Sequence, residues 1–573
     1  MAQLPCSIPP TPLPVHVSLY ADDVCLWVSG IYTTQIHRSI QDAIHAVDKF
    51  LTNSGLNLSR DKTAWMSIRG NGRHFRPPDI KLAGERITRV TRQRFLGIIL
   101  TDRLRWAQAA EATITTCRPA TNAVRRMTGA TWGCTERTIL AAQTALVTSR
   151  ILYRLPYMSP STTDLERLEQ LHRQGLRTAL GIPKAAKNTL VLQEAGLESL
   201  ERQSWERSLF QLARLSTTHP GRWFLRRIQG RTTASWSKVV EVFFRVADPL
   251  TMPQSESRAP PWEVPKITSE VRIKYLRSKQ DRPPLVIKEI VEAHLEERHS
   301  GKLQIYTDGS VNHSRTSSTA AYHIPKLSLE WSGRLHKPTS STTAELVAME
   351  KALLEAAKLP HLPMVLLTDS RCAIQKIANA ETGDPATAAA RKALAILEAH
   401  GSSVCFQWIP GHVGIQGNER ADDLAAEAHQ FPPQVPTPAH PQQAALDVRW
   451  HLLREKPEKS LPKGTLTGFS RAAETLVRRL RTNTAYTNEF LAKMGKRQSS
   501  SCLQCRAEET IHHILCVCPA YETQREALRQ RVKEGTQMTT DSLLFPDGPR
   551  RKCRRIFKAL LAFLRHTELT ERL

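Results

Sequence analysis

KLQIYTDG (302–309) is an apolar run that stops at an acid and a glycine, and MVLLTD (364–369) repeats that pattern further along the chain. Both read as buried strands. Between them, STAAYHIP (318–325) and LSLEWSGRL (327–335) read as two further strands, and TTAELVAMEKALLEAAK (342–358) as a helix with apolar residues at three- and four-residue steps. Beyond them lie the helix SRCAIQKIAN (370–379), the helix ATAAARKALAILEAH (386–400), the strand SVCFQWIP (403–410) and the helix NERADDLAAEAH (418–429). Strands first and then alternating strand and helix predict an α/β domain, a mixed five-stranded sheet with flanking helices.

Four acids fall at telling places in this block. Asp308 ends the first strand, Glu345 opens a helix, Asp369 ends MVLLTD, and Asp422 lies near the start of the last helix. Aspartates at the ends of neighbouring parallel strands meet at one sheet edge, where open α/β folds place their ligands. Close carboxylates repel unless cations neutralise them, and hard oxygen donors favour Mg²⁺ or Mn²⁺. Two such ions about 4 Å apart can clamp the attacking and leaving oxygens of a phosphoryl displacement. Taken singly, Glu345 could be a helix N-terminal charge and Asp308 a turn residue.

YTDGS (306–310), TAEL (343–346), TDS (368–370) and WIPGHVGIQGNERADDLA (408–425) together resemble the ribonuclease H domains of the ribonuclease H/retrotransposon type, in order and at domain-like spacing. The resemblance implies two-metal hydrolysis of the RNA strand of an RNA–DNA hybrid. Asp308 would bridge both ions, Glu345 and Asp369 would complete one site, and Asp422, rather than Asp423, the other. His412, in the loop PGHVGIQG, would assist proton transfer or product release. Ser341, Thr342 and Thr343 would be the candidates for contacts to the 2′-hydroxyls that distinguish RNA.

Outward from this block the composition changes. The 573 residues hold 80 Lys and Arg against 54 Asp and Glu, a formal excess of +26, which points to a polyanionic partner such as nucleic acid. The charge is uneven: residues 301–430 carry 12 basic and 13 acidic side chains, residues 1–300 carry 43 and 27, and residues 431–573 carry 25 and 14. At 40% hydrophobic residues the chain can build several cores, and its longest apolar runs fall well short of the roughly 18 residues that span a bilayer, so no membrane role is expected. Proline-rich stretches, MPQSESRAPPWEVP with DRPP around 250–301 and FPPQVPTPAHP at 431–441, read as linkers.

Before the first linker, Tyr20-Ala21-Asp22-Asp23 follows the apolar run VHVSL, and GLNLSRDKTAWM (55–66) and RFLGIIL (94–100) come next. Paired aspartates in a tight hairpin suit metal binding. The three segments resemble the last palm motifs of reverse transcriptases from non-LTR retrotransposons, and the helical stretch 106–225 resembles their thumb. By that resemblance Asp22 and Asp23 are metal ligands and Lys62 lies near an incoming triphosphate. The 19 residues before Tyr20 contain no acid, so another metal ligand of that family is missing and polymerase activity is not expected.

Four of the eleven cysteines crowd into CLQCRAEETIHHILCVCP (502–519), which suits one metal site in a reducing, intracellular compartment better than a disulfide framework. Cys502, Cys505, His513 and Cys518 have the spacing of a Cys₃His zinc knuckle, with His512 and Cys516 as rival ligands. The segment resembles the knuckle that follows ribonuclease H in the same retroelement class, which selects His513 and Cys518. The expected organisation is a partial palm (1–105), a helical thumb or connection (106–250), a linker (251–300), the ribonuclease H-like domain (301–430), a proline-rich linker with helices (431–500), and a knuckle with a basic tail (501–573). The whole resembles the C-terminal part of a non-LTR retrotransposon polyprotein, with Mg²⁺ or Mn²⁺ and Zn²⁺ as cofactors. The competing expectation is a non-catalytic nucleic-acid-binding remnant or domesticated fragment.

Overall fold

A computed structural model describes residues 3–68, 79–231, 236–247, 267–274, 276, 283–379, 384–438, 443–455, 466–532 and 538–573. The chain groups into two compact units, one of residues 1–204 with 460–573 and one of residues 205–459.

The second unit holds the site. Around the site its elements are β1 (Thr268–Glu270), α1 (Pro284–His299), β2 (Leu303–Val311), β3 (Ser318–Ile324), β4 (Leu329–Leu335), α2 (Ser341–Ala356), β5 (Pro363–Thr368), α3 (Arg371–Ala378), α4 (Pro385–Ala399), β6 (Ser403–Trp408), α5 (Gln416–Glu427) and β7 (Pro433–Val435). The sheet order is β7-β4-β3-β2-β5-β6-β1. The pairs β2–β3 and β3–β4 are antiparallel, and β2–β5 and β5–β6 are parallel. The five expected strands are all present. The sheet is nevertheless seven-stranded, because β1 and β7 add short parallel edges from stretches read as linkers.

One side of the sheet buries Leu303, Ile305, Leu366 and Phe406 against Leu346, Met349 and Leu353 of α2 and Leu394 and Leu397 of α4. Burying each such side chain contributes about 1.5–3 kcal/mol. The other side packs Val365 and Leu367 against Ile287, Val291 and Leu295 of α1. The helix α1 was hidden within the 251–300 linker. It is docked by polar contacts as well: His294 Nε2 and His299 Nε2 lie 3.2 and 3.1 Å from Gln407 Oε1, and Gln407 Nε2 donates to the Glu270 carbonyl at 3.1 Å. A buried glutamine in β6 thus fixes both α1 and the edge strand β1. The stretch MPQSESRAPPWEVP lies outside the described residues.

In the other unit, the described residues before 106 form four separate two-stranded sheets. The first is the antiparallel hairpin His16–Tyr20/Asp23–Trp27. Its strands are only partly buried and rest on the helix Thr33–Asn53 through a small cluster around Val47 and Leu51. The expected palm is therefore not seen as one sheet, since strands of two to five residues with open faces give little to pack together. Helices follow, among them Ala107–Arg126, Glu136–Gln143, Thr162–Leu180 and Asn188–Ala195.

Residues 466–573 join this unit rather than standing apart. Arg478 of the helix Arg471–Arg481 donates from Nε and Nη2 to the Glu136 carboxylate at 2.9 and 2.6 Å and also pairs with Glu194. Glu474 accepts from the Glu136 N–H at 3.0 Å, and Arg471 donates to the carbonyls of Gly129, Thr178 and Ala179. No helix among the described residues is long and apolar enough to cross a membrane.

Candidate functional site

Parallel pairing of β2 with β5 runs from Leu303↔Met364 to Tyr306↔Leu367. Carried two residues further, that register sets Asp308 opposite Asp369. Asp308 does not end its strand as expected: β2 leaves β5 after Tyr306 but continues to Val311 because β3 still pairs with it, Asp308 opposite Ala321. Asp369 follows the last residue of β5.

Glu345 arrives from α2, whose first turn is capped by the Ser340 hydroxyl accepting from the Thr343 N–H at 3.1 Å. Close approach of α2 to β2 needs a residue without Cβ, since a methyl on Gly309 would lie 2.2 Å from the Glu345 nitrogen. The glycine in TDG is a packing requirement at this position.

Carboxylate oxygens of Asp308, Glu345 and Asp369 all lie within 4.8 Å of one another. Glu345 accepts a hydrogen bond from Thr368 Oγ1 at 3.4 Å, and the Asp369 carbonyl accepts from Trp408 Nε1 at 3.0 Å. Arg371 stacks on the Trp408 ring at 3.6 Å. Burial, then the charges of Asp369 and Asp422, pushes Asp308 up to about 7. Burial, with Asp308 and Asp369 beside it, raises Glu345 as well. Such a cluster holds protons until divalent cations displace them, and an all-carboxylate donor set fits Mg²⁺ or Mn²⁺.

Asp422 on α5 belongs to a second group with His412 and Glu419, whose ligand atoms also lie within 4.8 Å of one another. His412 Nδ1 is 3.1 Å from Asp422 Oδ2, and Glu419 accepts from the Gly414 N–H at 3.0 Å, pinning the loop that carries His412. The histidine is 69% exposed at the loop tip, where its backbone has a positive φ of 54°. That loop passes close to Asp369: a Cβ on Gly411 would lie 2.1 Å from Asp369 Oδ2.

Asp422 is half-buried, whereas Asp423 is exposed. Glu419 was missed by the sequence reading; its signal was the three-residue spacing to Asp422, which sets both acids on one helix face. Among the three candidates for substrate contact, Thr343 needs correction. It is fully buried and its hydroxyl lies 2.8 Å from Ser340 Oγ, so only Ser341 and Thr342 reach the surface.

In the other unit, Cys502, Cys505, His513 and Cys518 come together with ligand atoms within 4.8 Å. The Cys502–Cys518 and Cys505–Cys518 sulfur distances are 3.9 and 4.0 Å, and Cys505 Sγ is 3.2 Å from His513 Nε2. These sulfurs are far too distant for a disulfide, near 2.05 Å, but suit the edges of a tetrahedron with metal–sulfur bonds of about 2.3 Å. The rivals turn elsewhere: His512 Nδ1 and Cys516 Sγ sit 2.9 and 3.7 Å from Thr540 Oγ1. Three thiols and an imidazole fit Zn²⁺. Metal analysis of the dialysed protein should find about one zinc per chain. Cys505→Ser should lose it, and zinc retained by that variant would rule out this ligand set.

Asp22 and Asp23 lie exposed at the turn of the first hairpin, where Ala21 has a φ of 51°, and Lys62 is also exposed. Neither aspartate belongs to a group of three potential metal ligands among the described residues.

No curated protein compared with this chain matches it. The family model for RNase H matches residues 300–430, so this segment, which carries both acidic groups, is a ribonuclease H domain.

Proposed function

We propose that the domain hydrolyses the RNA strand of RNA–DNA hybrids, with Asp308, Glu345, Asp369 and Asp422 holding two divalent cations. The observation that supports this most is the convergence of three acids, two of them buried, at one edge of the sheet within the matched segment. Cations bound there would neutralise the charge that builds on the scissile phosphate. The protein's own part is positional. Asp308 and Asp369 are fixed by strand register, Glu345 by a capped helix, and Asp422 by α5 with its loop held at Glu419. His412, exposed and with its Nδ1 3.1 Å from Asp422 Oδ2, would take a proton from or return one to a phosphate ester at the loop tip. Ser341 and Thr342, at the exposed start of α2, would meet 2′-hydroxyls across the minor groove.

The wider chain fits a retroelement polyprotein of the non-LTR type, with the first hairpin and helices as reverse-transcriptase remnants and the Cys₃His cluster as a zinc knuckle. No polymerase step is proposed for Asp22, Asp23 and Lys62, which stand exposed without a third acid beside the aspartates among the described residues.

The test incubates the purified full chain with labelled RNA–DNA hybrid, duplex RNA and duplex DNA, with Mg²⁺ or with EDTA. Cleavage of the hybrid's RNA strand alone, dependent on Mg²⁺ and lost in Asp369→Asn, is the expected result. Tight hybrid binding without cleavage in Mg²⁺ or Mn²⁺ would replace the enzyme with a nucleic-acid-binding protein.

A further inference from the structure

RRKCRR (550–555) opens the helix Arg550–His566, and the fold divides its residues between two tasks. Cys553, Ile556, Phe557, Leu560 and Phe563 are buried. Arg554 is held to its own unit, donating to the carbonyls of Thr467 and Gly468 at 3.2 Å each and lying over the Phe469 ring. Of the other cations, Arg551, Arg555 and Lys558 follow a four- and three-residue step along one exposed helix face, with Arg555 also donating to the Val532 carbonyl at 3.4 Å. Arg531, near the end of the helix Glu522–Val532, faces them across a cavity of about 480 Å³. The lining consists of these four, Arg554 and Ala559, with no acidic side chain among the described residues.

Five positive groups around one cavity repel each other, and none makes an ion pair among the described residues. The helix start makes the arrangement costlier still. Its first turn holds no acid and its N-cap, Pro549, gives no side-chain cap, so the positive end of the helix dipole adds to the same charge. An anion in the cavity relieves both effects.

We propose that this groove is a binding site for the phosphodiester backbone of nucleic acid, independent of base sequence. From Arg551 to Lys558 the charged face extends about 10 Å along the helix. A lone phosphate would fill only part of that length, whereas successive phosphates of a duplex strand recur about every 3.4 Å along the axis. Among the described residues the lining holds no aromatic ring on which a base could stack, so the groove reads charge and spacing and leaves the bases unread. This site lies in the unit that does not contain the ribonuclease H acids and stands whether or not those acids are catalytic.

The test uses the full chain and a fluorescent mixed-sequence duplex, with anisotropy titrations across a range of KCl concentrations. Arg531→Gln, Arg551→Gln, Arg555→Gln and Lys558→Gln are combined, leaving Arg554 to its structural bonds. The combined variant should bind at least tenfold more weakly near 0.1 M salt. Its log–log salt dependence should flatten by roughly 3.6, about 0.9 for each of the four lost contacts. A shuffled duplex should bind the native chain equally well, and the melting temperature of the variant should hold or rise, with its zinc content unchanged.

A second variant neutralises four exposed cations elsewhere in the unit: Arg38, Lys49, Arg92 and Arg103, each to Gln. An equal loss there would show that bulk charge alone acts, and would overturn the proposal. So would an unchanged salt slope in the groove variant, a strong preference for one of the two sequences, or full competition by tripolyphosphate at the same phosphate concentration.

Discussion

Asp308→Asn is expected to lower cleavage of a labelled RNA–DNA hybrid by about a thousandfold or more while making the cation-free protein more stable. Both effects come from one cause. Asp308 is 8% exposed and shares its site with Asp369 and Glu345. Its carboxyl, ordinarily near 3.8, stands at about 7 in the folded chain. Ionising it there carries a penalty on the order of 4 kcal/mol. The folded state therefore binds more protons than the unfolded state between about pH 4 and 7, and stability is lost as pH rises through that window. Glu345, raised for the same reason, adds to the loss.

In EDTA, the melting temperature of the native chain should fall from pH 5 to pH 7.5, and Mg²⁺ should restore more of it at pH 7.5 than at pH 5. Asparagine carries no charge, so its curve should be flatter, and at pH 7.5 in EDTA it should melt roughly 3–10 °C higher. It is also a poor cation ligand, which is why activity goes as stability rises. Wild-type cleavage by the variant, or a lower melting temperature in EDTA, would show that these acids do not form a cation site.

Arg478→Ala should cost about 3–5 kcal/mol of stability in the unit of residues 1–204 and 460–573. Burial pulls the guanidinium towards neutrality, and the hydrogen bonds and charge of Glu136, with the charge of Glu194, more than offset it. All three side chains are buried, so truncating the arginine takes the ion-pair partner from Glu136 and leaves Glu194 with only Arg481, at 3.5 Å. Urea unfolding followed by far-UV circular dichroism reads the loss as a lower midpoint. Removing one pair together, as Glu136→Gln with Arg478→Met, leaves Glu194 to Arg481 and should recover much of the stability, since the damage comes from unpaired charge. If this double variant is as unstable as Arg478→Ala, shape rather than charge holds the two segments together.

The ribonuclease H domain was largely legible because its signals are local. An apolar run closing on an acid gives a strand that carries a ligand, although β2 runs on past Asp308 to Val311, and the glycine after Asp308 marks the place where α2 comes within 2.2 Å of an added Cβ. The resemblance to ribonuclease H domains selected Asp422 over Asp423 by its place two residues before Leu424. Three things were not legible. Edge strands of three residues, β1 and β7, carry no alternation long enough to read, and the flanking prolines argued against them. The helix α1 begins at a proline within a stretch that composition marks as a linker, and its docking depends on Gln407, over a hundred residues later. Thr343 looked like a surface residue because hydroxyl side chains mostly are, yet its place at the helix start turns it inward.

The sequence alone determined the ligand chemistry: which residues can carry charge or bind metal, and their order along the chain. Strand endings and helix steps are set within a few residues, where short-range sterics and hydrophobic spacing act. Only the tertiary structure decided which of those groups meet. Register placed Asp308 beside Asp369, the loop at Gly411 brought His412 to Asp422, and the pairing of Glu136 and Glu194 with Arg478 joined segments about 280 to 340 residues apart. Such contacts depend on how whole elements pack, and no local pattern encodes the partner of a buried charge.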